Sequence, residues 1–166
     1  MRFLQRGVTV PDDGRAAAGY TLFAPLLQRE AYLIDMAGKV VHQWDIPGQP
    51  GNYAKLQPNG NLLVSTWMGE GPEGLAARGG LIQEMDWDGN VVWECRDKKQ
   101  HHDFHRLPNG NLIYLSWELM PADAAARVQG GGAGSEHAAG GIWGDLLVEV
   151  NSAGEKVWEW RIWEHA

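Results

Sequence analysis

Apolar positions along the chain fall into short runs separated by small, polar turn residues. Residues 62–67, 81–87, 91–95, 112–117, 146–151 and 157–162 each mix apolar–polar alternation with a short stretch that is apolar on both sides. Strands packed on both faces read this way. Asn59–Gly60, Asn109–Gly110 and Asp88–Gly89 interrupt them, with weaker versions at Ala37–Gly38 and Ala153–Gly154. Asn–Gly between apolar runs predicts a two-residue hairpin turn with both central residues at positive φ. Only residues 120–128, proline followed by an alanine-rich run, read as a short helix or equally as a surface turn.

These elements repeat. Pro58-Asn59-Gly60-Asn61-Leu62 returns as Pro108-Asn109-Gly110-Asn111-Leu112. A second motif occurs three times, at residues 38–44, 89–95 and 154–160, each Gly-x-x-Val or Gly-x-Val-Val followed by an aromatic or histidine. A shift of about 50 residues is the period of a propeller blade. Each unit then holds four strands: 52–57, 62–67, 81–87 and 91–96 in the first, 102–107, 112–117, 145–151 and 156–163 in the second. A pair at 31–36 and 40–44 precedes them, led in by an extended stretch at 19–25. The expected fold is all-β: a partial β-propeller of two complete four-stranded antiparallel blades after a half-blade. The expected divisions are a lead-in at 1–18, the half-blade at 19–46, and blades at 50–97 and 101–163. The second blade contains a long Gly-rich link at 118–144, which includes the Gly130–Gly134 tract and is expected to be the mobile loop. A ring usually needs about four to eight blades. The chain is therefore expected to be a fragment, or to be completed by a further segment or a second copy.

Composition narrows the function. The 166 residues include 22 glycines and 9 tryptophans, in keeping with tight turns and large plugs between sheets. A net charge of −7 argues against a nucleic-acid partner. Cys95 is the single cysteine, so neither an intrachain disulfide nor a cysteine zinc site is expected. No run approaches the roughly 20 apolar residues of a membrane span, and no export signal is visible, so a cytoplasmic protein without membrane contact is expected.

The candidate chemistry sits on the first strand of the second unit, the strand that lines the channel of a propeller. It reads His101-His102-Asp103-Phe104-His105-Arg106. The first unit has Gly51, Asn52 and Lys55 where this one has His101, His102 and His105, so the fold itself does not demand histidine there. Period-2 alternation places His102, Phe104 and Arg106 on one face and His101, Asp103 and His105 on the other. Histidine beside aspartate suits acid–base work, and histidine beside arginine suits an oxyanion. A metal would need ligands from elsewhere, since neighbouring strand histidines diverge; none is expected. A hydrated channel wall needs no function at all. Tyr53 and Lys55 on the first unit's inner strand are candidate contacts for an anionic aromatic ligand. His42, Trp44, Trp93, Trp158 and Trp160 occupy repeat positions and read as core plugs.

Taken in order, Gly19–Pro25, Tyr32-Leu33-Ile34-Asp35, the residues 38–44, the Pro-Asn-Gly-Asn turns, residues 101–111, Trp143-Gly144-Asp145 and Trp158-Glu159-Trp160 resemble the bacterial arylsulfotransferase (aryl-sulfate sulfotransferase) family. The resemblance implies a six-bladed propeller, cofactor-free transfer of a sulfuryl group from an aryl sulfate to a phenol, and a sulfated histidine intermediate. It implies a catalytic role for the pair His101 and His102, with either as the match to a channel-lining histidine; the residue types themselves make His105, Arg106, Tyr53 and Lys55 the expected substrate contacts. It also allows a periplasmic location. The family's nucleophile resembles a histidine on a later blade, and a later arginine helps bind the group; both are expected beyond Ala166. Two other readings remain: a non-catalytic propeller module that binds a ligand or protein, and repeat sheets that self-assemble.

Overall fold

The computed structural model describes residues 14–129 and 141–165. The Gly130–Gly134 tract and the first part of the lead-in lie outside them. The described chain is almost entirely β-structure, in three antiparallel sheets. Strands β1 (Thr21–Phe23), β2 (Glu30–Ile34) and β3 (Val40–Asp45) form the first, in that order. The second is β4 (Pro50–Leu56), β5 (Leu62–Trp67), β6 (Gly80–Met85) and β7 (Val91–Arg96). The third is β8 (Gln100–Arg106), β9 (Leu112–Leu119), β10 (Trp143–Val150) and β11 (Lys156–Arg161). A single helical turn, α1 (Ala122–Ala125), follows β9, so the alanine-rich run is helical for only part of its length. A 3-10 turn, Ile162–Glu164, ends the last predicted strand early.

The half-blade gains a strand. Thr21–Phe23 pairs with Tyr32–Ile34, a run too short for periodicity to announce. The turns also differ from the two-residue form. Gly60 N–H donates to the Gln57 carbonyl at 2.9 Å, and Gln57 N–H to the Asn61 carbonyl at 2.8 Å; the same pair of bonds recurs around Gly38, Gly89, Gly110 and Gly154. Only the glycine of each turn has positive φ, 86° at Gly60 and Gly110. This is a three-residue loop closed by a left-handed glycine. Pro58 and Pro108 fit its first central position, where φ near −65° is needed, and leave the asparagine right-handed.

The middle sheet is covered on both faces. Leu62, Val64 and Met85 pack with Ala31, Leu33, Trp44 and Ile46 of the first sheet and its edge. Leu63 and Ile82, on the opposite face, join Phe104, Leu112, Tyr114, Leu146, Val148 and Val150 of the third. The tryptophan plugs also tie sheet to sheet. Trp44 Nε1–H donates to the Asp86 carbonyl at 2.8 Å, and Trp93 Nε1–H to the Ser152 carbonyl at 2.8 Å. The first strands of the two full sheets, β4 and β8, are neighbours, and Lys55 Nζ bridges them to Asp103 Oδ1 at 2.7 Å and the Phe104 carbonyl at 2.6 Å. Blades of an open propeller stack in this way.

Candidate functional site

The site begins with a buried anchor. Gln100 is fully buried at the start of β8. Its Oε1 accepts from Ser65 Oγ at 2.7 Å and from the Gly80 N–H at 3.2 Å, and its Nε2 donates to the His101 carbonyl at 3.0 Å. These bonds pin the strand to the middle sheet. Beyond the anchor the ladder breaks: His101 pairs with Leu115, and the next pair is Phe104 with Tyr114. His102 and Asp103 form the bulge, with His102 at φ 46°. Simple alternation therefore fails here, because a bulge takes its residues out of the pleat. His102 does not share the ladder face of Phe104 and Arg106, although His101 and His105 keep a common face, opposite Leu115 and Ile113.

The bulge brings the two imidazoles together. Their Nδ1 atoms are 2.9 Å apart, so one must donate to the other. His101 is 3% exposed and lies flat on the Trp117 indole, with centroids 4.1 Å apart and planes 17° from parallel. Its Nε2 is 3.5 Å from Asp145 Oδ1, outside hydrogen-bonding geometry, and has no other partner. Burial pushes the His101 pKa below its ordinary value; Asp145 opposes the shift, and the His102 ring adds to it. His102 is exposed. Of the two histidines the sequence leaves as alternatives, His101 is the buried ring and His102 the exposed one.

The other predicted residues scatter. Arg106 stacks on Trp93 at 4.3 Å and pairs with Glu84 Oε2 at 2.8 Å, so it belongs to the junction between the full sheets. Burial alone would raise the Glu84 carboxyl, but hydrogen bonds from Asn61 and Asn59 and the Arg106 charge outweigh it and hold the pKa low. Lys55 is held across the junction by Asp103 and lies 4.9 Å from the Tyr53 ring of its own strand. Tyr53 is half-exposed. His105 is exposed and lines a hollow of about 170 Å³ with Phe104, Ile113 and Leu147 on the outer face of the third sheet. Among the described residues no group of three or more His, Cys, Asp or Glu side chains could hold a metal ion.

Three contributors escaped the sequence reading: Trp117, Asp145 and Arg78. Asp145 pairs with Trp117 where Gly80 pairs with Trp67 in the middle sheet, so comparing the repeats along the third strands would have flagged it. Arg78 bridges His101 through the backbone, and its guanidinium lies 5.5 Å from the Trp67 ring. With Asn52, Ala77 and Trp67 it lines a cavity of about 250 Å³. The His102 N–H donates to the carbonyl of that same Ala77 at 3.1 Å.

No protein-family model and no curated protein matches the chain. Among solved structures it is similar to a protein of unknown function from Bacteroides caccae, with a TM-score of 0.51 and 18% sequence identity. The match covers 86% of this chain and 46% of that one, so the chain spans about half of its length. At that identity the likeness concerns the fold.

Proposed function

We propose that the chain carries part of a sulfuryl-transfer site, moving the group from an aryl sulfate to a phenol, with His102 in the nucleophile's role that the family resemblance puts on a later blade. The observation that supports this reading is the Nδ1–Nδ1 contact of 2.9 Å between a buried and an exposed histidine. Burial favours a neutral His101. In the tautomer that puts the His101 proton on Nε2, the side of the Asp145 charge, Nδ1 accepts and His102 Nδ1–H donates. That tautomer leaves the lone pair of His102 Nε2 for attack, the arrangement a histidine nucleophile needs. Nε2 bonds to sulfur as the S–O bond to the aryl group breaks and phenolate leaves. A second phenol, losing its proton to solvent, takes the sulfuryl group and restores the imidazole. Arg78 beside Trp67 offers a cation for the sulfate oxygens and an aromatic wall for the ring.

A chromogenic aryl sulfate with a phenol acceptor tests the reading. Acceptor-dependent release of the donor phenol and a sulfated His102 in the intact-protein mass spectrum are expected. His102→Ala should abolish both, and His165→Ala neither. Transfer that survives His102→Ala would sink the assignment.

A further inference from the structure

The repeat shows that the two ends of the stack are the two halves of one junction. Where sheets meet, one face presents Ala31, Leu33 and Trp44 or, one sheet on, their counterparts Ile82, Glu84 and Cys95. The register puts Leu147, Glu149 and Trp160 of the third sheet at these positions, with Trp158 at the place of Trp93. Among the described residues no sheet packs on them: His165 stacks on Trp160 with centroids 4.8 Å apart, Asn111 donates to Glu149, and Trp158 is 45% exposed. The opposite half of each junction is Val64 at 0% and Tyr114 at 5% exposure. Phe23 stands at that place in the first sheet, stacked on Tyr32 with centroids 5.5 Å apart, and is 41% exposed. Positions covered by a neighbouring sheet inside the stack thus have none at its ends, where Phe23 and Trp158 are the exposed members.

We propose that a second copy of this chain covers both faces, the third sheet of each copy packing on the first sheet of the other. Two copies of three sheets make six, within the range of about four to eight that closes a propeller. The likeness to a solved chain about twice as long fits a ring of two such halves. Among the described residues a two-fold ring leaves no such end open, whereas a single copy leaves two. It sets the two third sheets opposite each other, so each copy's His101–His102 pair faces the other's across the channel. The pairing does not depend on the sulfuryl-transfer reading.

Sedimentation of the 166-residue chain across a range of concentrations tests it. One species of about twice the 18.4 kDa chain mass is expected. Leu147→Asp and, separately, Phe23→Asp should each halve that mass while the β-sheet circular dichroism persists. If either variant unfolds, Trp158→Glu takes its place, since the indole is half-exposed in one copy. A strictly monomeric wild-type chain, an open-ended ladder of species, or a dimer indifferent to these substitutions would overturn the proposal. Loss of transfer with the dimer intact would overturn only the reading of the site.

Discussion

Strands β4 and β8 hold the same place in consecutive sheets, and they differ most where the candidate chemistry lies. Both are bulged at the same point, and both hold a non-glycine residue at positive φ there, 95° at Asn52 and 46° at His102. The bulge is therefore a device of the fold, repeated whatever the side chain. What fills the space beside it is not. A Cβ on Gly51 would come within 2.6 Å of Ser65 Oγ and 2.7 Å of Gly79 Cα, because the backbone of the β5–β6 link runs against the strand. In β8 the corresponding residue is His101, whose imidazole lies on Trp117, the counterpart of Trp67. One sheet closes the cleft with main chain and the other with a buried, titratable ring.

The sharpest way to break this comparison is to give β4 a side chain. Gly51→Ala forces Cβ against backbone that cannot rotate away, and overpacking of this kind costs about 3 kcal/mol. Urea unfolding should show a lower midpoint at unchanged slope, the unfolding free energy falling by that amount. A loss below about 0.5 kcal/mol would mean that the link yields and the two clefts are not alternatives.

A smaller effect of opposite sign is expected at the bulge. His102 occupies the left-handed region, which costs an L-residue about 1–2 kcal/mol, and glycine is free of that cost. His102→Gly should therefore raise stability by up to about 1 kcal/mol, less the lost imidazole contact, while sulfuryl transfer disappears. Equal or lower stability would show that the contact with His101 outweighs the strain.

Most of the fold was legible because the chain states it twice. Turns and strands recur at one spacing, and the unbroken apolar run Leu62, Leu63 and Val64 announces a strand buried on both faces. Thr21–Phe23 was legible only as part of the extended stretch at 19–25, and its pairing was not, because three residues carry no period. The histidine pair was legible by subtraction, as residues the other repeat does without. Its surroundings were not. A bulge does not change composition, so alternation misassigned His102. Trp117 repeats Trp67 and passes for a plug, and Asp145 lies about 40 residues from the histidines it faces. Arg106 and Lys55 looked free because Glu84, Trp93 and Asp103, which hold them, sit on other strands or on the adjacent sheet.

The smallest expected effect isolates what the imidazole adds to the cleft. The His101 pKa is lowered by burial, opposed by Asp145 and reinforced by the neighbouring ring, so the folded chain binds this proton more weakly than the unfolded chain does. Stability from His101 is then fully present above its ordinary value of 6.5 and drains away as pH falls through that value toward the folded one. Glu84 and Asp86 are shifted the same way, but from carboxylate values of 4.5 and 3.8, so their losses come at more acid pH. His101→Phe keeps a flat ring on Trp117 and removes the titration. The slope of unfolding free energy against pH just below 6.5 should flatten in that variant, while the acid limb below 4.5 stays. An unchanged slope would place the titration elsewhere and make the His101 ring, like the backbone beside Gly51, mere filling.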